Sequence, residues 1–226
     1  IDIEMKRTVF LIETEEDQNV GAMELLKHLF TAQMRDYITA VDAHNIVLVK
    51  SMDDTDAAED MHAVANTIVD MINAEMMTKV RVSYGNPSHK LDDLSRSYKE
   101  AKMALEVGRI FYIGRTIVPY SKLGIGRLIY QLPIPLCKMF MEEVFGDQLP
   151  DTFDEETVTT INKFFDNNLN ISETARQLYV HRNTLVYRLE KLQKMTGLDI
   201  RVFDDALTFK IATMVVNYMK FMKEET

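Results

Sequence analysis

Tryptophan is absent from the 226 residues, cysteine occurs once, and there are only 5 prolines and 8 glycines. The single Cys137 excludes an intrachain disulfide and any multi-cysteine zinc site, and its apolar neighbours read as packing in a reducing, cytoplasmic setting. Histidines at 28, 44, 62, 89 and 181 show no His-x-x-x-His or His–Cys spacing, so neither a metal centre nor a cofactor is predicted. There is no Gly-rich phosphate loop, and Gly124-Ile125-Gly126 reads as a turn. No Gly-x-Ser-x-Gly elbow is present, and no catalytic constellation emerges. No apolar run approaches the roughly 20 residues that cross a bilayer, so no membrane partner is expected. The start, Ile1-Asp2-Ile3-Glu4, has neither an initiator Met nor a basic leader, and the chain is expected to be a fragment lacking an upstream segment.

What is present suits a globular protein: 46% of residues are hydrophobic and 27% charged. The net charge of −9 is uneven, with 16 basic against 23 acidic residues in the first 150 and 10 against 12 in the last 76. Thr8 to Ile12 is a β-rich run ending in acidic residues 13 to 17, followed by helical spacing at Leu25, Leu26, Leu29 and Phe30. Two β-rich runs, Arg35 to Val41 and Asn45 to Lys50, flank Asp42-Ala43-His44 and predict an antiparallel hairpin. Asp53-Asp54 opens a helix carrying Met61, Val64, Ile68 and Met71, and a strand from Lys79 to Tyr84 closes at Gly85-Asn86-Pro87. A helix from Leu91 to Gly108 and a last strand from Ile117 to Tyr120 complete an α+β domain with a largely antiparallel sheet. Pro133 and Pro135 then open a helix containing Leu136, Met139, Phe140, Val144 and Phe145, ended by residues 146–150. The expected organisation is an α+β domain over 1–131, a connecting helix over 132–153 and an all-α domain over 154–226.

The last domain carries the chemistry. Asn170 is a helix cap, and Glu173 three positions later completes a capping box. Ile171, Ala175 and Leu178 give a short helix that stops at Tyr179, and after Val180 and His181 a second helix shows Leu185, Leu189 and Leu192 on one line. At about 100° per residue, Asn183, Tyr187 and Lys194 fall nearly opposite that line, flanked by Glu190 and Lys191, while Arg182 and Arg188 lie at the edges. From Arg176 to Lys194 the charges are five basic residues against Glu190 alone, a local reversal in an acidic chain. A helix from Asp154 to Asn168 turns Val158, Ile161, Phe164 and Phe165 inward, and Asp204-Asp205 caps a last helix with Leu207, Ile211, Met214, Val215 and Tyr218 on one stripe. Four helices would then share one core. The pattern reads as a helix-turn-helix for double-stranded DNA, in which Asn183, Thr184 and Tyr187 meet base edges. His181, Arg182, Arg188, Lys191 and Lys194 would meet phosphates. One helix per major groove requires two domains about one helical turn apart, hence a homodimer.

The run His181 to Ile200, HRNTLVYRLEKLQKMTGLDI, resembles the C-terminal helix-turn-helix of the purine-catabolism regulator (PucR) and sugar-diacid regulator (CdaR) families, and more distantly the factor for inversion stimulation. The resemblance rests on His181 to Leu185, Tyr187 to Leu189 and Thr196-Gly197. Many helix-turn-helix motifs place Gly where Tyr179 stands; the resembling families also tend to have an aromatic there. The element order over about residues 6 to 120, with Tyr98-x-x-Ala101-x-x-Ala104-Leu105, resembles the degenerate GGDEF-like domain of the same regulators. This implies a transcription regulator of a purine or sugar-diacid operon whose small-molecule effector acts through a missing upstream domain. In active diguanylate cyclases the hairpin carries glycines for nucleotide approach and carboxylates for Mg²⁺. Here it reads Asp42-Ala43-His44-Asn45-Ile46, and Glu13 ends the first strand without a hairpin carboxylate partner, so no cyclase activity is expected. The competing enzyme reading would use Glu13, Asp42 and His44 for nucleotide chemistry. A third assigns dimerisation to the α+β domain.

Overall fold

The computed structural model describes residues 5–15, 18–30, 35–53, 58–146 and 153–224. They fall into two compact units, one up to Tyr130 and one from Gln131 onward. The first runs β1 (Arg7–Glu13), α1 (Asn19–Phe30), β2 (Tyr37–Ala40), β3 (Asn45–Ser51), α2 (Ala58–Met76), β4 (Arg81–Tyr84), α3 (Leu94–Phe111), β5 (Ile117–Pro119) and α4 (Ile125–Tyr130). The second holds α5 (Ile134–Phe145), α6 (Glu155–Asp166), α7 (Ile171–Gln177), α8 (Arg182–Thr196) and α9 (Phe203–Glu224). The expected Asp54 start of α2, the acidic Glu16-Asp17 and the end of α5 beyond Gly146 lie outside the described residues.

The sheet order is β2-β3-β1-β4-β5. β1 is central and antiparallel to both neighbours, β2 pairs antiparallel with β3, and β5 runs parallel to β4. A parallel neighbour needs a crossover, which α3 supplies. The central position explains why β1 is buried at every residue but Glu13 and apolar from Val9 to Ile12. Phe10 and Ile12 join Ile46, Leu48 and Val82 beneath α1 and α2, whereas Val9 and Leu11 join Val47 beneath Ala101 and Leu105 of α3. Both faces of the sheet are covered, so alternation along β1 is between two apolar layers rather than between core and water. Gly85, directly after β4, lets α3 come this close: a Cβ there would lie 2.2 Å from the Ser97 carbonyl oxygen.

The elements follow the expected order along the chain up to β5, and the sheet is largely antiparallel as expected, with two local departures. Residues 91–93 form a 3₁₀ turn before α3. The expected turn at Gly124-Ile125-Gly126 is confined to Gly124, at φ +51°, because Ile125 already starts α4. Gly126 is buried in that short helix, where a Cβ would crowd Phe111 and Val107.

In the second unit, Leu185, Leu189 and Leu192 of α8 are buried with Ile161 and Phe164 of α6 and Ala175 of α7. Phe209 of α9 is the other centre, with Phe145 edge-on at 5.8 Å and Phe165 stacked at 6.4 Å. α5, in the stretch read as connector, packs along α9, so five helices rather than four share this core. Two inward faces differ from expectation. Val158 is exposed, and Thr157 takes the inward place in the first turn of α6. The buried line of α9 begins at Ala206, Phe209 and Ala212 before reaching Val215 and Tyr218, while Leu207 is exposed. The aromatic cluster around Phe209 sets that rotation.

Leu189 is 1% exposed in the middle of α8. Truncating it leaves a cavity that α6 and α7 cannot fill, so Leu189→Ala should lower the stability of the second unit by about 2–5 kcal/mol. Denaturant unfolding checks this, and a parent-like midpoint would mean that α8 is rotated differently.

Candidate nucleic-acid interface

α7 starts at Asn170, whose side chain accepts from the Glu173 N–H at 3.1 Å. The reciprocal half of the expected capping box is not made. Glu173 instead bonds Arg176 at 2.6 and 3.1 Å and Gln177 at 2.9 Å, and the Asn170 N–H donates to the Asn167 carbonyl. Arg176 offers a charged donor on the same helix surface, a stronger partner for the carboxylate than one backbone N–H. The Arg176 bond, with Gln177 second, holds the Glu173 carboxyl below its usual range.

The helix ends in a Schellman closure. Val180 N–H bonds the Ala175 carbonyl at 3.0 Å and Tyr179 N–H bonds the Arg176 carbonyl at 3.2 Å. This geometry needs a left-handed residue between them, and Tyr179 supplies it at φ +55° with its side chain almost fully exposed. The tight turn is therefore made at the position where glycine was lacking in the sequence. α8 then begins at His181, whose Nδ1 accepts from the Asn183 N–H at 3.2 Å. It ends at Gly197, left-handed at φ +76°.

With the leucine line inward, α8 presents Asn183, Thr184 and Tyr187 on one exposed face, Tyr187 at 68%. Lys191 and Lys194 are exposed further along the helix. The other predicted phosphate contacts are held by neighbours. Arg182 bonds the Ser172 hydroxyl at 2.6 Å, tying the start of α8 to α7. Arg188 bonds the Glu156 carboxylate at 2.5 Å and the Thr160 hydroxyl at 3.3 Å, both on α6. His181 serves as the helix cap. Glu190, the one acid of the recognition segment, lies 3.8 Å from Arg201.

Between α6 and α8 is a concavity of about 250 Å³ whose lining includes Glu156, Thr157, Thr184, Tyr187, Arg188 and Lys191. Asp154 caps α6 by accepting from the Thr157 N–H at 2.7 Å. That contact chiefly keeps its carboxyl below the usual range, with Lys191 and Arg188 adding to it. Ser172, Thr160 and Glu156 are the participants that spacing did not suggest. They stand 10, 28 and 32 residues from their arginine partners, beyond the reach of any periodic pattern.

In the first unit, Glu13, His44 and Arg81 line a concavity of about 740 Å³ where β1 ends and the β2–β3 hairpin turns. Glu13 lies opposite Arg81 across the β1–β4 ladder and pairs with it at 3.4 Å; Arg109 of α3 pairs with its other oxygen. Asp42 does not turn toward Glu13. Its carboxylate accepts from the His44 and Asn45 backbone N–H groups at 2.8 Å and from the Asn45 side chain at 2.9 Å. Burial pushes the Asp42 carboxyl up, but these bonds outweigh it and leave the group below its usual range. The carboxylates of the enzyme reading are thus occupied separately, one by two guanidinium groups and the other by its own turn.

Comparison with known proteins agrees with both units. Residues 157–215 match the model of the PucR C-terminal helix-turn-helix domain, and residues 1–107 match that of the GGDEF-like domain. The class defined is a GGDEF-like domain followed by a helix-turn-helix. The chain belongs to the PucR/CdaR family of bacterial transcription regulators. It is 27% identical over 172 residues to the purine catabolism regulatory protein of Bacillus subtilis, covering 74% of this chain and 32% of that protein. To the carbohydrate diacid regulator of Escherichia coli it is 25% identical over 237 residues, covering 94% and 57%. To the proline-responsive transcriptional activator PutR of B. subtilis it is 33% identical over 132 residues, covering 56% and 32%. The chain therefore spans about a third to three-fifths of these relatives' lengths. Among the described residues, no helix is long and apolar enough to cross a membrane.

The turn between α7 and α8 gives a direct test. A left-handed conformation costs an L-residue about 1–2 kcal/mol, and glycine returns roughly half of that as unfolded-state entropy. The exposed Tyr179 loses no packing, so Tyr179→Gly should stabilise the second unit by about 0.5–1 kcal/mol. A lower unfolding midpoint for this variant would mean that Tyr179 is not left-handed.

Proposed function

We propose that this chain is the DNA-binding part of a bacterial transcription regulator that acts as a homodimer in the cytoplasm and has no catalytic activity of its own. The observation that carries the reading is the exposed face of α8, where Asn183, Thr184 and Tyr187 stand together opposite a buried leucine line. A side chain able to bond bidentately to adenine then lies in the first turn of the helix that enters the groove. Lys191, Lys194, Arg182 and Arg188, with His181 at the helix start, form the phosphate-contacting set. The GGDEF-like domain over 1–131 serves to pair the DNA-binding domain over 154–226, and α5 of the stretch 132–153 supports that domain from within its core. The names of the relatives support a catabolic operon as the target, of purine or carbohydrate-diacid type. Their greater length supports an upstream domain through which a small-molecule effector acts.

The enzyme reading is disfavoured by the disposition of Glu13 and Asp42. A carboxylate shared by Arg81 and Arg109 has its charge already compensated. One bonded to its own hairpin amides is already engaged within its turn. Neither is free to join the other at a Mg²⁺ ion.

Base-reading and phosphate-contacting residues should fail differently. Asn183→Ala should weaken binding to the specific site by about 1–3 kcal/mol and leave a scrambled duplex nearly unaffected. Lys191→Ala should weaken both equally and reduce the salt slope by about one. Titrations of both variants at several salt concentrations check this; equal losses on the two duplexes for Asn183→Ala would place base reading elsewhere.

A further inference from the structure

The first turn of α6 presents Asp154, Glu155 and Glu156 beside the helix that carries the proposed phosphate contacts. Such acids suit a helix N-terminus, where the dipole favours negative charge, so their presence alone indicates nothing. Glu156 does more than cap. It reaches across to α8 and takes an N–H of Arg188 at 2.5 Å, while Thr160, one turn further along α6, accepts another at 3.3 Å. Both partners lie on the α6 side of the guanidinium, next to the groove shared with Thr184, Tyr187 and Lys191.

We propose that Glu156 sets the DNA affinity of this protein by occupying Arg188 in place of a DNA phosphate. The proposal rests on the DNA-binding reading of α8 and adds to it a residue of α6 that makes no contact with DNA. Arg188 has five N–H donors, of which Glu156 and Thr160 take two. A phosphate oxygen reaching the remaining donors would stand beside the Glu156 carboxylate, two like charges on one guanidinium. The phosphate must either displace Glu156 or accept that repulsion, and affinity falls in both cases. Displacement is feasible. The Glu156 side chain is 67% exposed against 24% for Arg188, so the carboxylate can swing into water while the guanidinium stays in place. The competing ligand is therefore a nucleic-acid phosphate, independent of sequence, and Glu156 should tune overall affinity rather than base preference.

Titrations of the full 226-residue chain, on a mixed-sequence duplex long enough for two domains, separate this from a general field effect. Glu156→Gln should tighten binding about two- to fivefold at low salt and steepen the salt dependence by about one phosphate contact. Glu155→Gln removes the same charge one residue away and should tighten it less. In an Arg188→Gln background the Glu156→Gln gain should shrink to that of Glu155→Gln, because no guanidinium remains to be released. Unchanged thermal unfolding of Glu156→Gln would show that the effect lies in binding. Weaker binding by Glu156→Gln would overturn the proposal, since it would make Glu156 an orienter of Arg188. Equal gains for Glu155→Gln and Glu156→Gln in both backgrounds would overturn it too, leaving only long-range repulsion. A parent chain that binds no duplex at all would instead remove the DNA-binding reading on which the proposal stands.

Discussion

Burial of three leucines fixes the orientation of α8, and that orientation decides which of its residues face outward. Leu185, Leu189 and Leu192 are each no more than 2% exposed, held by the inward residues of α6 and α7. A helix so anchored cannot rotate without exposing a leucine, which costs on the order of 1.5–3 kcal/mol each. Asn183, Thr184 and Tyr187 are then presented together because no other rotation is available. The short α7, its left-handed Tyr179 and the His181 cap serve the same end, since they fix where the helix starts and how it approaches α7. Arg182 and Arg188 add lateral ties to Ser172, Thr160 and Glu156. Side chains that look like free cations in the sequence are thus partly structural.

The first unit follows a different logic. Its central strand is covered on both faces, and at the end of that strand, where a cyclase would hold a metal, the carboxylate is paired with two arginines of the same unit. Glu13 sits at the end of β1 directly opposite Arg81, and α3 brings Arg109 to the same carboxylate. Asp42 stabilises the hairpin in place of a glycine turn, through four bonds from His44 and Asn45. The carboxylates of Glu13 and Asp42 are thus taken up by groups of the domain itself.

Local periodicity made much of this readable in the sequence. The β-rich runs, the helix faces of α1 and α2 and the leucine line of α8 follow from spacings of two, three and four residues, which depend only on neighbours along the chain. Tertiary contacts were not readable for the same reason. Glu156 meets Arg188 across 32 residues and Glu13 meets Arg109 across 96, and nothing in either segment marks the other. The face of α9 shifted because Phe209 joins an aromatic cluster built by α5 and α6. Two acceptable stripes existed on that helix, and only packing chose between them. The capping box failed at Glu173 because an arginine three residues on competed for the same carboxylate. The short α4 was missed because a six-residue helix containing glycine has too few turns to show a period.

On the proposed function, two copies of α8, each held by its leucines, read DNA from adjacent major grooves. Selection of duplexes from a random pool with the intact chain tests it most directly. The expected result is recovery of a two-fold-symmetric element with half-sites about one helical turn apart, each containing an adenine within reach of Asn183. A pool that shows no enrichment, or a single unsymmetric site bound by one copy, would contradict it.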